Sequence, residues 1–135
     1  MTQEDKQLLL VDLCARLPYG VKANSRDGKK IITITPIGIA NFMSGAIDII
    51  KPYLRPMSSM TEEEKKEYQS LCEIHTDHDA DDNVTYYYFD TIESFDWLNA
   101  HHFDYRGLIE KGLAISEEKF NPYKYNDYLR NEKLY

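Results

Sequence analysis

Apolar and polar positions change period several times along this chain, and each change marks an element. Leu10, Leu13, Cys14 and Leu17 recur at helical spacing, with Leu8, Leu9 and Val11 widening the stripe; this predicts an N-terminal helix buried on more than one side. Thr2 precedes Asp5 at the spacing of an N-cap, and Pro18 ends the helix. Alternation takes over at Val21 and Ala23. A turn at Ser25-Arg26-Asp27-Gly28 leads into the Ile- and Thr-rich run Lys30–Ile37, and Gly38 and Gly45 divide the following residues into Ile39–Met43 and Ala46–Ile50. These read as four short strands in a strongly bent antiparallel sheet, an SH3-like half-barrel, with Pro36 at an edge or bulge. Lys51–Pro56 is too proline-rich for a helix or a central strand.

The second half is punctuated more clearly. Thr61 and Glu64 form a capping-box pair ahead of the stripe Tyr68, Leu71, Cys72 and His75. Asp77–Asn83 reads as a hydrophilic loop and Val84–Phe89 as a strand. Asp90 or Thr91 caps a helix over Ile92–His102, and Asp104 a shorter one ending at Gly112. The fold class is therefore α+β: an N-terminal helix, a small bent sheet and a helical C-terminal half. Residues 1–115 are expected to form one domain. Residues 116–135, polar and rich in tyrosine, are expected to form a tail that lies on the surface or is partly disordered.

Charge separates the two halves. Residues 1–60 hold eight Lys and Arg against five Asp and Glu, a balance of +3; residues 61–135 hold eight against eighteen, a balance of −10. An overall charge of −7 opposes strong nonspecific nucleic-acid binding, which depends on neutralising phosphates. Eleven tyrosines among 135 residues favour half-buried sheets and contact surfaces, since each pairs a large ring with one polar tip. Cys14 and Cys72 both fall on apolar stripes and are expected as buried free thiols of a reducing compartment. With no signal-peptide pattern at Met1 and no apolar run near membrane-span length, the expected location is cytoplasmic.

Three stretches carry a resemblance: Leu13–Val21, Lys51–Glu64, and Phe95–Asn99 continuing through His102–Ala114. Together they resemble a group of small hypothetical proteins of gut bacteria and their phages. That resemblance implies a bacterial or viral cytoplasmic setting. It implies no activity, cofactor or catalytic residue.

The richest polar cluster is Glu73–Asp82. His75 and His78 stand as H-x-x-H beside Asp77 and Asp79, a potential but incomplete metal set. Asp77, Asp79 and Asp81 start an EF-hand spacing that fails at Asp82 and Tyr88, where glycine and glutamate are required. His101 and His102 end a helix, where the dipole favours them. The helical pair Ile92–Gly112 invites a helix-turn-helix comparison, but Tyr105–Lys111 presents one Arg and one Lys, too few to read bases. Lys22, Arg26, Lys29 and Lys30 form a better basic patch for nucleic acid. Trp97 lies off the Phe95–Leu98 stripe, so it either anchors a partner or packs on the sheet.

With no phosphate loop, nucleophile elbow or Cys-x-x-Cys motif, the leading expectation is a non-enzymatic, protein-binding chain without a cofactor. Its contact surface would be acidic and tyrosine-rich, with Trp97, Tyr86, Tyr88 and Tyr105 as candidate residues. The alternatives are a small nucleic-acid module at the basic hairpin and a metal-dependent enzyme at His75, His78, Asp77 and Asp79.

Overall fold

A computed structural model describes residues 1–24, 30–45, 50–118 and 121–123. Helix α1 runs over Gln3–Arg16, and the Thr2 hydroxyl accepts the Asp5 amide at 3.0 Å, as their spacing predicts. A 3-10 turn at Leu17–Tyr19 carries Pro18 and closes on Gly20, whose φ of 68° suits glycine. Strands β1 (Lys22–Asn24) and β2 (Ile31–Thr33) then pair antiparallel, Ala23 opposite Ile32. The turn between them and residues 46–49 of the expected strand Ala46–Ile50 lie outside the described residues.

The stretch expected as further strand is helix α2, Pro36–Met43. Thr35 is its N-cap, accepting the Gly38 amide at 3.0 Å, and Pro36 occupies the first turn, where its missing N–H costs nothing. Ile39 and Phe42, three residues apart, both point into the core. A Thr-Pro start therefore outweighed the β-branched composition.

A second correction concerns Lys51–Pro56. Strand β3 (Tyr53–Pro56) is the centre of a three-stranded parallel sheet, between β6 (Phe103–Asp104) and β7 (Ile115–Ser116). Its prolines sit where no donor is needed: Pro52 offers its carbonyl to the Ile115 amide at 2.8 Å, and Pro56 is the last residue of the strand. Arg55 supplies an amide, to the His102 carbonyl at 2.7 Å. Among the described residues the strands make this sheet and two antiparallel pairs, and no barrel closes.

After a 3-10 turn at Met57–Ser59, the Thr61–Glu64 capping box opens α3, Glu62–Leu71. The helix stops at Leu71, short of His75, because the residues expected to finish its stripe and the loop after it are strand. β4 (Glu73–His78) pairs antiparallel with β5 (Val84–Phe89) through six residue pairs. Helix α4 (Ile92–Ala100) is capped by Thr91 and Ser94. It ends before His102, whose φ of 63° is incompatible with helix. The expected fourth helix is absent: Asp104 accepts the Leu108 and Ile109 amides at 2.9 Å each, four and five residues on, and the residues up to Gly112 form irregular turns.

Two apolar clusters result. The larger gathers α1, β1, α2 and β3 around Leu9, Leu13, Phe42 and Leu54, and it takes Leu108 and Leu113 from the far end of the chain. The smaller joins α3 and α4 around Trp97, Leu98 and Phe103. Cys14 faces solvent rather than the core, whereas Cys72 is half-buried; both are free thiols. Residues beyond 115 do not leave the body at once. Ser116 pairs with Leu54, and the Tyr123 hydroxyl accepts the Lys22 amide at 2.9 Å while donating to the Tyr53 carbonyl at 2.7 Å.

Candidate functional site

The β4–β5 hairpin stands apart from both clusters. All twelve of its strand residues are exposed, and Ile74, Val84, Tyr86, Tyr87, Tyr88 and Phe89 keep 39–60% of their surface in water. An isolated two-stranded ribbon is marginal in water, so its support must come from its base and its turn. The base is a clamp between the two packed helices. The Thr91 hydroxyl donates to the Leu71 carbonyl at 2.7 Å, capping the end of α3, and the Tyr68 hydroxyl donates to Asp90. Burial and that carboxylate push the Tyr68 phenol above its ordinary pKa. Trp97 lies beneath: its indole N–H donates to Glu67 at 3.0 Å and its ring stacks on Phe103, centroids 5.6 Å apart.

The turn is built from aspartates. Asp82 N–H donates to the Asp79 carbonyl at 3.2 Å, and Asp79 N–H to the Asn83 carbonyl at 3.1 Å. With Asp82 at φ 59°, this is the three-residue hairpin loop with a bulge at its left-handed position. The Asp79 carboxylate accepts the Asn83 and Asp81 amides at 2.9 and 2.8 Å, plus the Asn83 side-chain amide at 3.1 Å. These bonds, Asn83's first, hold its pKa below the ordinary carboxylate value.

Strand geometry sorts the hairpin into two faces. Ile74, Thr76 and His78 share one with their cross-strand partners Tyr88, Tyr86 and Val84; apart from the titratable His78 it carries no charge. Glu73, His75 and Asp77 share the other with Phe89, Tyr87 and Thr85. There His75 meets Phe89 edge-on at 4.9 Å and Glu73 at 3.1 Å.

This sorting decides the metal reading. Three residues apart on a helix, His75 and His78 would share a face; on a strand they point to opposite faces. Asp77 goes with His75, and Asp79 is occupied by the turn. Among the described residues no group of three His, Cys, Asp or Glu side chains is placed to hold an ion. Of the basic patch, Arg26 and Lys29 lie outside the described residues. The Lys22 ammonium donates to Thr33 on the neighbouring strand, and Lys30 is exposed beside it.

The four contact candidates separate likewise. Tyr86 and Tyr88 lie together on the uncharged hairpin face, whereas Trp97 is buried in the smaller cluster. Tyr105 is half-buried, donating to Asn99 at 2.9 Å and accepting from Arg106 at 2.9 Å. Phe95, expected inside, leans on Tyr105 from the surface instead. Ile74 and Val84 join the tyrosines on their face. Reading Glu73–His78 as a helix end and loop hid them, although Val84–Phe89 needed a pairing strand and the preceding residues were the nearest candidate.

The polar groups inside the body make ion pairs and ring contacts with one another. Arg55 binds Glu64 through two bonds of 2.7 Å, lies 3.1 Å from Glu117, and covers the Phe103 ring at 4.1 Å. The bonds from Arg55 hold the Glu64 pKa down at about 2. His102 stacks on Tyr123 with centroids 3.6 Å apart, and burial lowers its pKa to about 3, with nearby Arg16 adding to the shift. No helix among the described residues is long and apolar enough to cross a membrane. No family model, curated protein or solved structure matches the chain, so what the hairpin does must be read from its own chemistry.

Proposed function

We propose that this chain is a non-enzymatic binding protein that presents the β4–β5 hairpin to another protein. The observation that carries the reading is a ribbon of six paired residues per strand, exposed on both faces, that holds six large apolar side chains in water. Among the described residues neither apolar cluster includes a hairpin residue, and the Thr91–Leu71 bond joins α3 to α4 at its base. Exposed apolar surface of this kind is expensive unless a partner covers it, and tyrosine gives large contact area at small conformational cost. The acidic half of the chain supplies the rim. Arg16, Arg55, Glu64 and His102, the polar groups best placed for chemistry, are tied into ion pairs or ring stacks.

The test is site-specific photo-crosslinking in the cells that naturally make the protein. A photoreactive phenylalanine analogue at Tyr86 should yield a discrete adduct, and the same analogue at Ile37, exposed on α2, should not. The Tyr88→Asp change should erase the Tyr86 adduct while leaving Tm within about 2 °C, as expected for an exposed position. Equal labelling at both sites, or none at Tyr86, would dismiss the hairpin as the contact element.

A further inference from the structure

We propose that the partner docks as an extended basic segment, adding a third strand to the outer edge of β5. The inference rests on the protein-binding reading above and names the chemistry of the occupant.

The backbone comes first. Inward-facing and outward-facing pairs alternate along an antiparallel ladder. Asp79 and Asn83 form an inward pair through the Asp79 amide. Counting down the observed register, Val84, Tyr86 and Tyr88 turn their own N–H and C=O groups outward along β5, and Ile74, Thr76 and His78 do so along β4. No third strand is paired to either edge among the described residues. The two edges differ in protection. Charged side chains blunt an edge against pairing; β4 has Glu73 and Asp77, whereas β5, Val84–Phe89, has no charged residue, no proline and no glycine. The open edge is therefore β5, and a strand added there places every second side chain beside Val84, Tyr86 and Tyr88 on the uncharged face.

Charge then selects the occupant. Between Glu73 and Asp90 stand six Asp and Glu and no Lys or Arg. A second copy would bring another set of turn aspartates and another Asp90 to the two ends of the same edge. A strand bearing Arg or Lys is instead attracted, and a guanidinium flat on an exposed tyrosine ring gains further from the ring's negative face. Tyrosine rings set between the turn aspartates and Asp90 suit arginine in particular, whose planar cation both stacks and pairs. This is strand addition, with main-chain bonds for affinity and alternate side chains for selection.

Three fluorescent octapeptides test it against the full chain: alternating Arg and Val, alternating Glu and Val, and the Arg–Val peptide N-methylated at alternate residues. The Arg–Val peptide should bind by anisotropy, slow amide exchange at Val84, Tyr86 and Tyr88, and weaken as salt rises. N-methylation and the Tyr86→Ser/Tyr88→Ser variant should each weaken it by about tenfold or more, the scale of one lost main-chain or stacking contact. If the Tyr86 photo-adduct forms but Arg–Val binds no better than Glu–Val, the hairpin remains a docking element and the basic-strand proposal fails. Equal affinity of the N-methylated peptide would refute pairing at the edge. Sedimentation showing self-association that Tyr86→Asp abolishes would make a second copy the occupant and overturn the proposal.

Discussion

Asp12 and Arg16 are both wholly buried, and removing one should cost more than removing the other. The Asp12 carboxylate is shared: Oδ2 accepts from Arg16 Nε at 2.8 Å and Oδ1 from Arg106 Nε at 3.1 Å. Arg16 also donates to the Phe103 carbonyl at 2.6 Å, which ties α1 to β6. Asp12→Asn keeps the shape and removes the anion shared by two guanidinium groups, one with no access to water. Breaking a buried pair in this way costs about 3–5 kcal/mol. Arg16→Met removes one charge-assisted bond and the donor to Phe103, about 2–3 kcal/mol, but Asp12 keeps Arg106. The double replacement Asp12→Asn with Arg16→Met leaves no buried charge at this site, since Arg106 is partly exposed. It should cost no more than the worse single change, giving a coupling of about 2–3 kcal/mol. Urea unfolding at pH 7 with unchanged m-values measures all three. Arg16→Met costing more than Asp12→Asn, or single effects that simply add, would refute the claim that one carboxylate neutralises two cations.

Other positions give independent checks. Asp82→Gly relieves a left-handed backbone that glycine adopts freely, so exchange protection along β4 and β5 should rise by about fivefold, on the order of 1 kcal/mol; a fall would contradict the turn geometry. Thr91→Ala loses an N-cap and a bond to Leu71, so it should cost about 1–2 kcal/mol against ~1 for Thr61→Ala at the start of α3. His102 has its folded pKa depressed to about 3 from 6.5, so the unfolded chain binds the extra proton. The stability this gives is whole above pH 6.5 and declines as pH falls toward 3, with a limiting slope of about 1.4 kcal/mol per pH unit. His102→Asn, which tolerates the positive φ, should flatten that arm when denaturation midpoints are followed from pH 7 to 4. A second loss follows at lower pH, as Glu64 is protonated between its ordinary value of 4.5 and about 2, and Glu64→Gln should remove it.

Capping chemistry was the most legible part of the sequence. Thr2, Thr61 and Thr91 all hold the amides their spacing predicts, because these bonds depend on residues three apart. What depended on distant partners was hidden. Tyr53–Pro56 became a central strand only because Phe103 and Ile115 arrive from far along the chain to bond with it. Ile39–Met43 is β-branched at one end only, and its helix was signalled by Thr35-Pro36, a pair equally at home at a strand edge. At the hairpin, Val84–Phe89 was readable from its aromatic run. Glu73–His78 was not, since its apolar residue Ile74 is flanked by groups that suit loops. Whether Trp97 was anchor or core could not be settled by spacing; its indole bond to Glu67 on the neighbouring helix placed it inside.

The parallel sheet has a consequence for biosynthesis. β3 lies in the first half of the chain, but both strands beside it, and Leu108, Leu113 and Ala114 of the larger cluster, are translated much later. A nascent chain therefore exposes Leu9, Leu13, Phe42 and Leu54 until the segment reaching Ser116 has cleared the ribosome tunnel. The larger cluster is therefore completed only late in synthesis, and until then its apolar residues are open to chaperones.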